Sequence, residues 1–315
     1  MKRSPAVLVS AIVLLAGLMA APISAQGAGV GGWTPLRNPD SGMASRFLDG
    51  ISCVGPASCW VTGYDTFHTG DGGRTWQTQL DSVKYAIYGI SCPGAQTCVA
   101  VGDKGTIERT VDGGATWQTQ VAATSSALVA VSCPTARVCY VGTTDGKLLK
   151  TSNAGTTWRS QHNPQSGTGY VWGGVKCTSA SACVAVGYYI ASTTDGGATW
   201  VQRDDPAHVM NAVACPAAGV CYAAGFKGEI TKSSDGGRAW TRLSTGAQGV
   251  LQGISCAGPH SCVAVGDNGL ILSTTDGGAT WRHQASGTTV RLWNVACAGG
   301  VCYAVGRKGT VLVRR

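Results

Sequence analysis

Residues 250–285 read VLQGISCAGPHSCVAVGDNGLILSTTDGGATWRHQA, and this stretch decides the fold. Short apolar and β-branched runs alternate with GDNG and TDGG, in which Gly, Asn and Asp tolerate the positive φ of tight turns. The pattern predicts four short strands, at residues 250–255, 263–265, 270–273 and 280–283, the last of which contains the tryptophan.

The same pattern recurs along the whole chain, and a fixed period is the signature of a repeat architecture. Seven tryptophans fall 43, 41, 41, 42, 40 and 41 residues apart, and they are Trp33, Trp76, Trp117, Trp158, Trp200, Trp240 and Trp281. Four strands in each period are typical of a propeller blade, and 46 glycines exclude an array of helices. The sequence therefore predicts an all-β, seven-bladed β-propeller with four-stranded blades over residues 26–315.

One cysteine pair lies in each unit, between the predicted first and second strands. The pairs use all 14 cysteines and are Cys53/Cys59, Cys92/Cys98, Cys133/Cys139, Cys177/Cys183, Cys215/Cys221, Cys256/Cys262 and Cys297/Cys302. In a secreted chain with an even cysteine count, we expect a disulfide within each unit. Each would contribute roughly 2 kcal/mol by loop entropy. Metal binding and redox exchange are the alternatives, but the pairs lack the two-residue spacing typical of both.

The two ends of the chain predict how the ring closes. The seventh unit stops at Arg315 after three strands, and the segment 33–36 matches the end of a unit that has nothing before it. We expect this segment to pair beside residues 311–315 as the missing fourth strand. Such a closure removes an exposed sheet edge and ties down both termini.

The first residues have the composition of a secretory signal peptide. Lys2 and Arg3 precede an apolar run at residues 6–21, and Ala25 supplies a small residue before the cut. We expect cleavage to remove residues 1–25 and to leave a secreted or periplasmic chain without a transmembrane segment. An uncleaved anchor is the alternative, although the run is shorter than the roughly 20 residues of a membrane span.

The charge of the mature chain argues against nucleic acid as a partner. Loss of Lys2 and Arg3 leaves 22 basic and 16 acidic residues, a net charge of +6. These basic residues are spread thinly along the chain, whereas a nucleic-acid binder usually concentrates them in a stripe.

A second recurring motif places a short polar residue in a glycine-rich turn before the tryptophan. Its polar residues are Asp71, Asp112, Asn153, Asp195, Asp235 and Asp276. An Asp side chain in such a turn accepts hydrogen bonds from nearby backbone N–H groups. Carboxylates repeated around a ring cannot all serve one active site, so the motif predicts a structural role.

These turns resemble the Asp box of the sialidase-type (BNR) repeats. The phrases CVAVGDNG at 262–269 and TDGGATW at 275–281 look most like the photosystem II stability/assembly factor family. The resemblance implies a lumenal or periplasmic propeller that escorts a membrane-protein subunit during assembly, without catalysis. The cysteine pairs depart from that family's pattern and suggest a secreted bacterial variant.

Glycoside hydrolysis is the enzymatic alternative, because sialidases and some glucanases share the Asp box. Such reactions generally need two carboxylates or an activated Tyr with acidic partners. The chain has only two glutamates, Glu108 and Glu229, which we place at solvated positions of third strands in different blades. Its five histidines fall at unrelated phases of the repeat, as expected of exposed loops, so the sequence predicts no catalytic residue, metal or cofactor.

A binding function is expected on the face opposite the boxes. Cysteine turns and boxes both follow odd-numbered strands and so share a face, whereas hairpins and interblade links occupy the other face. There the repeats stop resembling one another, and aromatic residues mix with Arg and Lys. The candidate binding residues are Arg46, Phe47, Tyr85, Tyr170, Trp172, Arg291, Trp293, Lys104, Lys227 and Lys308.

The partner is predicted to be a protein, including a membrane-associated one, or a glycan, and the propeller a monomer. Two alternatives stay open. These residues could merely cap the channel and solvate loops, and the chain could be a small glycosidase or lectin.

Overall fold

The structure is a computed structural model, and it describes residues 32–38, 47–80, 85–122, 124–166, 168, 170–204 and 209–315. The expected signal peptide and the candidate binding residue Arg46 lie outside these ranges. Within them, no helix is long and apolar enough to cross a membrane.

The described strands form seven sheets of four antiparallel strands each, which confirms the predicted seven-bladed propeller. Blades 1–6 follow one another along the chain, and blade 7 combines both ends of the chain. The strands of blades 1–3 are β2 Leu48–Cys53, β3 Cys59–Gly63, β4 Thr66–Thr69, β5 Gln77–Leu80, β6 Ile87–Gly94, β7 Thr97–Gly102, β8 Thr106–Thr110, β9 Gln118–Val121, β10 Leu128–Ser132, β11 Cys139–Thr143, β12 Leu148–Thr151 and β13 Arg159–Gln161.

The remaining strands complete the ring in the same way. Those of blades 4–7 are β14 Trp172–Cys177, β15 Cys183–Gly187, β16 Ile190–Thr193, β17 Val201–Asp204, β18 Met210–Ala217, β19 Val220–Gly225, β20 Ile230–Ser233, β21 Thr241–Leu243, β22 Leu251–Gly258, β23 Ser261–Gly266, β24 Ile271–Thr274, β25 Arg282–His283, β26 Leu292–Ala298, β27 Val301–Gly306, β28 Val311–Arg314 and β1 Thr34–Pro35.

The observed strand limits of blade 6 differ from the predicted ones by one to three residues in every strand. Its fourth strand begins at Arg282, after Trp281 rather than with it, and every other fourth strand likewise begins one residue after its tryptophan. The reason is packing, because the tryptophan still belongs to the turn. The ring of Trp281, for example, is buried against the apolar residues between blades 5 and 6.

Blade 7 closes the ring as predicted. Thr34 pairs with Val313, and Pro35 pairs with Leu312, in antiparallel register. The backbone N–H of Leu36 then donates to the carbonyl of Val311 at 2.8 Å. The N-terminal segment therefore covers the edge that β28 would otherwise expose.

All seven predicted disulfides are present, and none of the 14 cysteines, which all lie in the described ranges, is free. Each bond spans the turn between the first and second strands of its own blade, with Cα atoms 3.9–4.1 Å apart. The bonds are Cys53–Cys59, Cys92–Cys98, Cys133–Cys139, Cys177–Cys183, Cys215–Cys221, Cys256–Cys262 and Cys297–Cys302.

Polar contacts join neighbouring blades in addition to the apolar core. In four blades a first-strand serine accepts a hydrogen bond from the backbone N–H of the next blade's first cysteine, and these serines are Ser52, Ser91, Ser132 and Ser255. Three buried tyrosines, Tyr140, Tyr222 and Tyr303, donate their hydroxyl hydrogens to a carbonyl in the next blade's cysteine turn. These bonds fix the blades' relative positions and hence the shape of the channel.

The two faces of the disc are as the strand order predicts. Box turns lie against the cysteine turns of their own blades, as when Gly277 N–H donates to the His260 carbonyl at 2.9 Å. We call this side the Asp-box face. On the other side, hairpins between second and third strands contact the interblade links, as when Asp267 N–H donates to the Val250 carbonyl at 3.0 Å. We call this side the loop face.

Candidate functional site

The box carboxylates are held by their own turns. In blade 1, Asp71 accepts hydrogen bonds from the N–H and hydroxyl of Thr75, at 2.9 and 2.6 Å, and from the Thr69 hydroxyl at 2.8 Å. The bonds from Thr75 contribute most to lowering the pKa of Asp71 to about 2. An acid that stays ionised and is fully engaged in a turn serves structure rather than proton transfer.

The same turn forms in the other boxes, including the one without a carboxylate. There Asn153 accepts from Thr157 N–H at 3.0 Å and from the Thr151 hydroxyl at 3.0 Å. An amide therefore fills the place of the carboxylate, which supports the structural role predicted for Asp71, Asp112, Asn153, Asp195, Asp235 and Asp276.

The two glutamates are not solvated as expected. Glu108 is buried on β8, where it accepts a hydrogen bond from the Thr119 hydroxyl at 2.9 Å, and burial raises its pKa. Glu229 lies just before β20 with its side chain 9% exposed, in an ion pair with Arg242 at 3.1 Å. Each packs against the fourth strand of its own blade, so each carboxylate already has a partner there.

One histidine also departs from the expectation of exposed loops. His68 lies on β4, half-buried, with its ring stacked on Trp60 at 4.2 Å. Its Nε2 is 3.1 Å from the Ser58 hydroxyl, and burial lowers its pKa. His208 lies outside the described residues. In the described ranges, no three His, Cys, Asp or Glu side chains converge as a metal site would require.

Several predicted binding residues form local pairs on the loop face. Lys104 lies over the ring of Tyr85 at 5.0 Å, and Arg307 lies over Phe47 at 5.1 Å. In blade 4, Tyr170 stacks on Tyr188 with ring centroids 4.0 Å apart. These pairs distribute the predicted residues around the face rather than gathering them at one point.

The prediction that Trp172 is a binding residue needs correction. Its side chain is fully buried, and its indole N–H donates to the carbonyl of Gly146 at 3.0 Å. Trp172 is the first residue of β14, a position at which the other blades place Leu, Ile or Met in the core. It therefore stabilises blade 4 and cannot contact a partner.

Three predicted lysines occupy hairpin tips in the left-handed conformation. Lys104, Lys227 and Lys308 have φ values of 51°, 53° and 56°, and all three side chains are exposed. At the corresponding position of blade 6 stands Asn268, one of the residue types that adopts this conformation at little cost. Lysine at positive φ is unfavourable, so its use at three tips favours a function for these side chains.

The first strands line a central channel, a cavity of about 900 Å³. When the seven first strands are compared, one position has nearly the same residue type in every blade, and another has a different residue in every blade. The fourth residue is always Ile or Val, and these residues are Ile51, Ile90, Val131, Val175, Val213, Ile254 and Val295, which we call the girdle. The second residue, nearer the loop face, differs in every blade, and these residues are Asp49, Tyr88, Val129, Gly173, Asn211, Gln252 and Trp293, which we call the rim.

Each rim residue lies at a β-bulge. In all seven blades the pairing of the first and second strands shifts between the first and third residues of the first strand. Bulges release a residue from the ladder and often redirect a side chain toward a functional site. The polar and aromatic rim residues form one arc through blades 5, 6, 7, 1 and 2, whereas blades 3 and 4 contribute only Val129 and Gly173.

A hydrogen-bonded network runs along one half of this arc. Asn211 Nδ2 donates to the Leu251 carbonyl at 2.8 Å, and Gln252 Nε2 donates to Asp267 Oδ1 at 3.2 Å. Arg291 forms an ion pair with Asp267 at 2.5 Å and lies over the ring of Trp293 at 4.7 Å. The charge of Arg291 is therefore neutralised within the site, and one face of Trp293 is already covered.

The other half of the arc contains an acid in an apolar setting. Burial raises the pKa of Asp49 to about 7. Burial also raises the pKa of Tyr88 in the next blade, with smaller contributions from nearby Asp103, Asp49 and Tyr64. Asp49, Tyr64 and Tyr88 all line the channel, so they form one pocket at its loop-face mouth.

Of the rim residues, only Trp293 was predicted from the sequence to bind a partner. The pattern that could have identified the others is the contrast between a variable second residue and a constant fourth residue in the first strands. It is visible only when the seven units are aligned position by position, and it would also have shown that Trp172 occupies a core position.

The chain is similar to two groups of known proteins. Residues 174–313 match the family model of the photosynthesis system II assembly factor YCF48. Two solved YCF48 structures are similar over the whole ring. One, solved bound to a D1 peptide, has a TM-score of 0.73 and 18% identity, covering 91% of this chain and 97% of that one. The other, from Cyanidioschyzon merolae, has a TM-score of 0.72 and 16% identity, covering 90% and 99%.

The second group consists of enzymes that share the fold. A GH74 xyloglucanase from Xanthomonas campestris has a TM-score of 0.69 and 13% identity, covering 90% of this chain and 53% of the enzyme. No curated protein matches the sequence. The chain is thus a disulfide-bearing seven-bladed propeller that is similar to the photosystem II assembly factors, as the Asp-box phrases predicted.

Proposed function

We propose that the protein is an exported, non-enzymatic propeller that binds a segment of another protein at the loop-face mouth of its channel. The proposal includes a signal peptide at residues 1–25 and a single propeller domain at 26–315. Seven disulfides fit an oxidising compartment outside the cytoplasm.

The variable rim is the observation that carries this proposal. The seven units agree in residue type at the girdle and cysteine positions, and six of them carry the box turn. They diverge at the rim position, which a bulge directs toward the channel. Variation on the loops and edges of a uniform scaffold is where binding functions reside. A cavity with convergent amides, aromatic rings and one acid has the composition of a binding pocket.

The residues around the mouth extend the proposed contact surface. The hairpin lysines Lys104, Lys227 and Lys308, with Phe47, Tyr85 and Tyr170, border the rim on the loop face, and Arg46 is proposed with them. Aromatic residues with Arg are enriched where proteins bind one another. A YCF48 bound to a D1 peptide further supports a polypeptide as the ligand class.

A carbohydrate remains the second candidate ligand, because GH74 enzymes share this fold. Amide and aromatic side chains such as Asn211, Gln252 and Trp293 also suit sugars. The engagement of the box acids in their own turns and of the glutamates within their blades favours binding over hydrolysis. A glycan array and a glucan hydrolysis assay on the purified protein separate these outcomes from protein binding.

Partner capture by a rim variant tests the proposal. The variant combines Gln252→Ala, Arg291→Gln, Trp293→Leu and Lys308→Gln, and its circular dichroism and melting temperature establish that the ring is intact. The tagged mature protein is used to capture partners from the producing cells, and quantitative mass spectrometry compares the captured proteins. We expect the rim variant to lose the partner.

A matched variant on the Asp-box face supplies the control. Arg74→Gln and Arg238→Gln alter exposed charges that lie beside box turns, and this variant should capture the partner as the unmodified protein does. Loss of capture by the control variant alone, or undiminished capture by the rim variant, would reject the loop face as the contact surface.

A further inference from the structure

Asp49 differs from the other acidic residues whose side chains the structure describes. Every other acidic side chain that the structure describes has a hydrogen-bond or ion-pair partner, such as Lys147 for Asp145 and Arg291 for Asp267. Among the described residues, Asp49 has neither. A carboxylate taken partly out of water without a partner is unfavourable, and a bound cation would relieve that cost.

The surroundings of Asp49 select the kind of cation. In the ring it lies between Trp293 of blade 7 and Tyr88 of blade 2, with Tyr64 of its own blade at the same mouth. One face of Trp293 carries Arg291. Tyr88 and Tyr64 line the same mouth as Asp49, and Tyr88 is close enough to Asp49 for the two groups to interact electrostatically. Aromatic faces beside a carboxylate bind organic cations by cation–π attraction.

The composition of the channel argues against a metal ion. A divalent cation such as Ca²⁺ takes six to eight oxygen ligands, whereas the described residues bring no cluster of acidic or other metal-binding side chains together here. Below the rim, the girdle of Ile and Val borders the channel with the small part of each side chain that is not packed between the blades. A charged head with an aliphatic stem would match both layers.

We infer that Asp49, Tyr88 and Tyr64 bind an organic ammonium group whose aliphatic stem contacts the girdle, as a lysine side chain or a free alkylamine would. This inference deepens the proposed function, and rests on it, by specifying what the bound segment presents to the channel. Among the described residues, Arg307 lies over Phe47, Lys308 is exposed at its hairpin tip, and Lys176 lines the channel from β14 in blade 4, across the ring from blade 1.

Calorimetric titration of the mature protein tests the inference with three probes. They are n-pentylamine, the peptide acetyl-GGSKSGG-amide, and the same peptide with norleucine in place of lysine. We expect the lysine peptide to bind at least about tenfold more tightly than the norleucine peptide, the size of a charge-assisted hydrogen bond. Pentylamine that binds as tightly as the lysine peptide would identify a free amine as the ligand source, and peptide-only binding would identify a polypeptide.

Two variants locate the site. Asp49→Asn should weaken lysine-peptide binding about tenfold or more, and Tyr88→Leu about two- to fivefold. Asp103→Asn is the matched control, because it removes the same charge beside Tyr88 from a side chain that does not line the channel, and it should change affinity less than about threefold. Melting temperatures of all three variants establish that each is folded.

The inference is overturned if neither amine binds at millimolar concentration, if lysine and norleucine peptides bind equally, or if Asp49→Asn binds like the unmodified protein. These results are independent of partner capture. Loss of capture in the rim variant with no ammonium binding would retain the proposed function and reject the inference. Ammonium binding without capture of a partner on the loop face would retain the inference and reject the proposed function.

Discussion

Single aspartates serve opposite purposes in this protein. In the boxes, hydrogen bonds from threonines lower the pKa of Asp112 to about 2, as they do for Asp71, and keep the acid ionised within a turn. At the rim, burial without a partner raises the pKa of Asp49 to about 7. The first arrangement stabilises the fold, whereas the second stores a cost that a ligand would offset.

That cost predicts a specific dependence of stability on pH. The folded-state pKa of Asp49 lies above its unfolded value, so the folded state holds this proton more tightly, and the contribution of Asp49 to stability falls as pH rises from about 4 to about 7. Asp49→Asn removes this loss. We expect the variant to gain roughly 2–4 kcal/mol in free energy of unfolding at pH 8 and little at pH 4, measured by urea denaturation.

The same comparison distinguishes a general effect of the amide from the loss of a buried charge. An equal difference between Asp49→Asn and the unmodified protein at both pH values would contradict the assignment. Asp103→Asn, whose carboxylate accepts a hydrogen bond from Lys104 N–H within an exposed hairpin, should show no comparable gain at pH 8.

For single residues, the roles that depend only on neighbours in the sequence could be predicted. The role of the box aspartates follows from three or four neighbouring residues, so it could be predicted. The burial of Trp172, Glu108 and Asp49 depends on side chains from other strands and blades. Those contacts are not adjacent in sequence, and no short pattern reports them.

Among the elements of each blade, the hairpin between the second and third strands has a backbone conformation at its tip that does not suit the lysine found there in three blades. Its tip requires positive φ, which Asn268 adopts readily and Lys227 does not. Lys227→Asn should therefore raise the free energy of unfolding by about 1 kcal/mol while weakening partner capture. Chemical denaturation and the capture assay measure the two effects on the same preparation.

The reverse change is the control for this element. Asn268→Lys should lower stability by a similar amount, because it places lysine at the same φ in blade 6. If Lys227→Asn is no more stable and captures its partner normally, the lysines have no bearing on function.

Strand order and the hairpin turns were predictable from the positions of Gly, Asn and Asp. The strand ends were less predictable, because the tryptophan that appears to begin each fourth strand belongs to the preceding turn.

At the scale of the whole molecule, the ring depends on a two-residue strand from the far end of the chain. Removing residues up to Leu36 would expose β28, since Thr34 and Leu36 supply its hydrogen bonds. We expect the shortened chain to melt at a lower temperature and to self-associate through the uncovered edge. Differential scanning calorimetry and analytical ultracentrifugation measure these effects.

A chain that starts at Gly32 is the matched control, because it keeps β1, and it should remain monomeric and as stable as the mature protein. A shortened chain that is monomeric and equally stable would contradict the closure.

The number of blades and this closure were predictable because both follow from the spacing of the repeated motifs along the sequence. The lining of the channel was not, because it arises only when seven separated segments meet around one axis.

Photo-crosslinking tests whether a partner contacts the loop-face mouth of the channel, with p-benzoylphenylalanine placed at Tyr64 on the loop face or at Arg74 on the Asp-box face. Both positions are exposed. We expect a specific crosslinked partner from Tyr64 and none from Arg74. Crosslinks from Arg74 alone, or the same products from both positions, would contradict it.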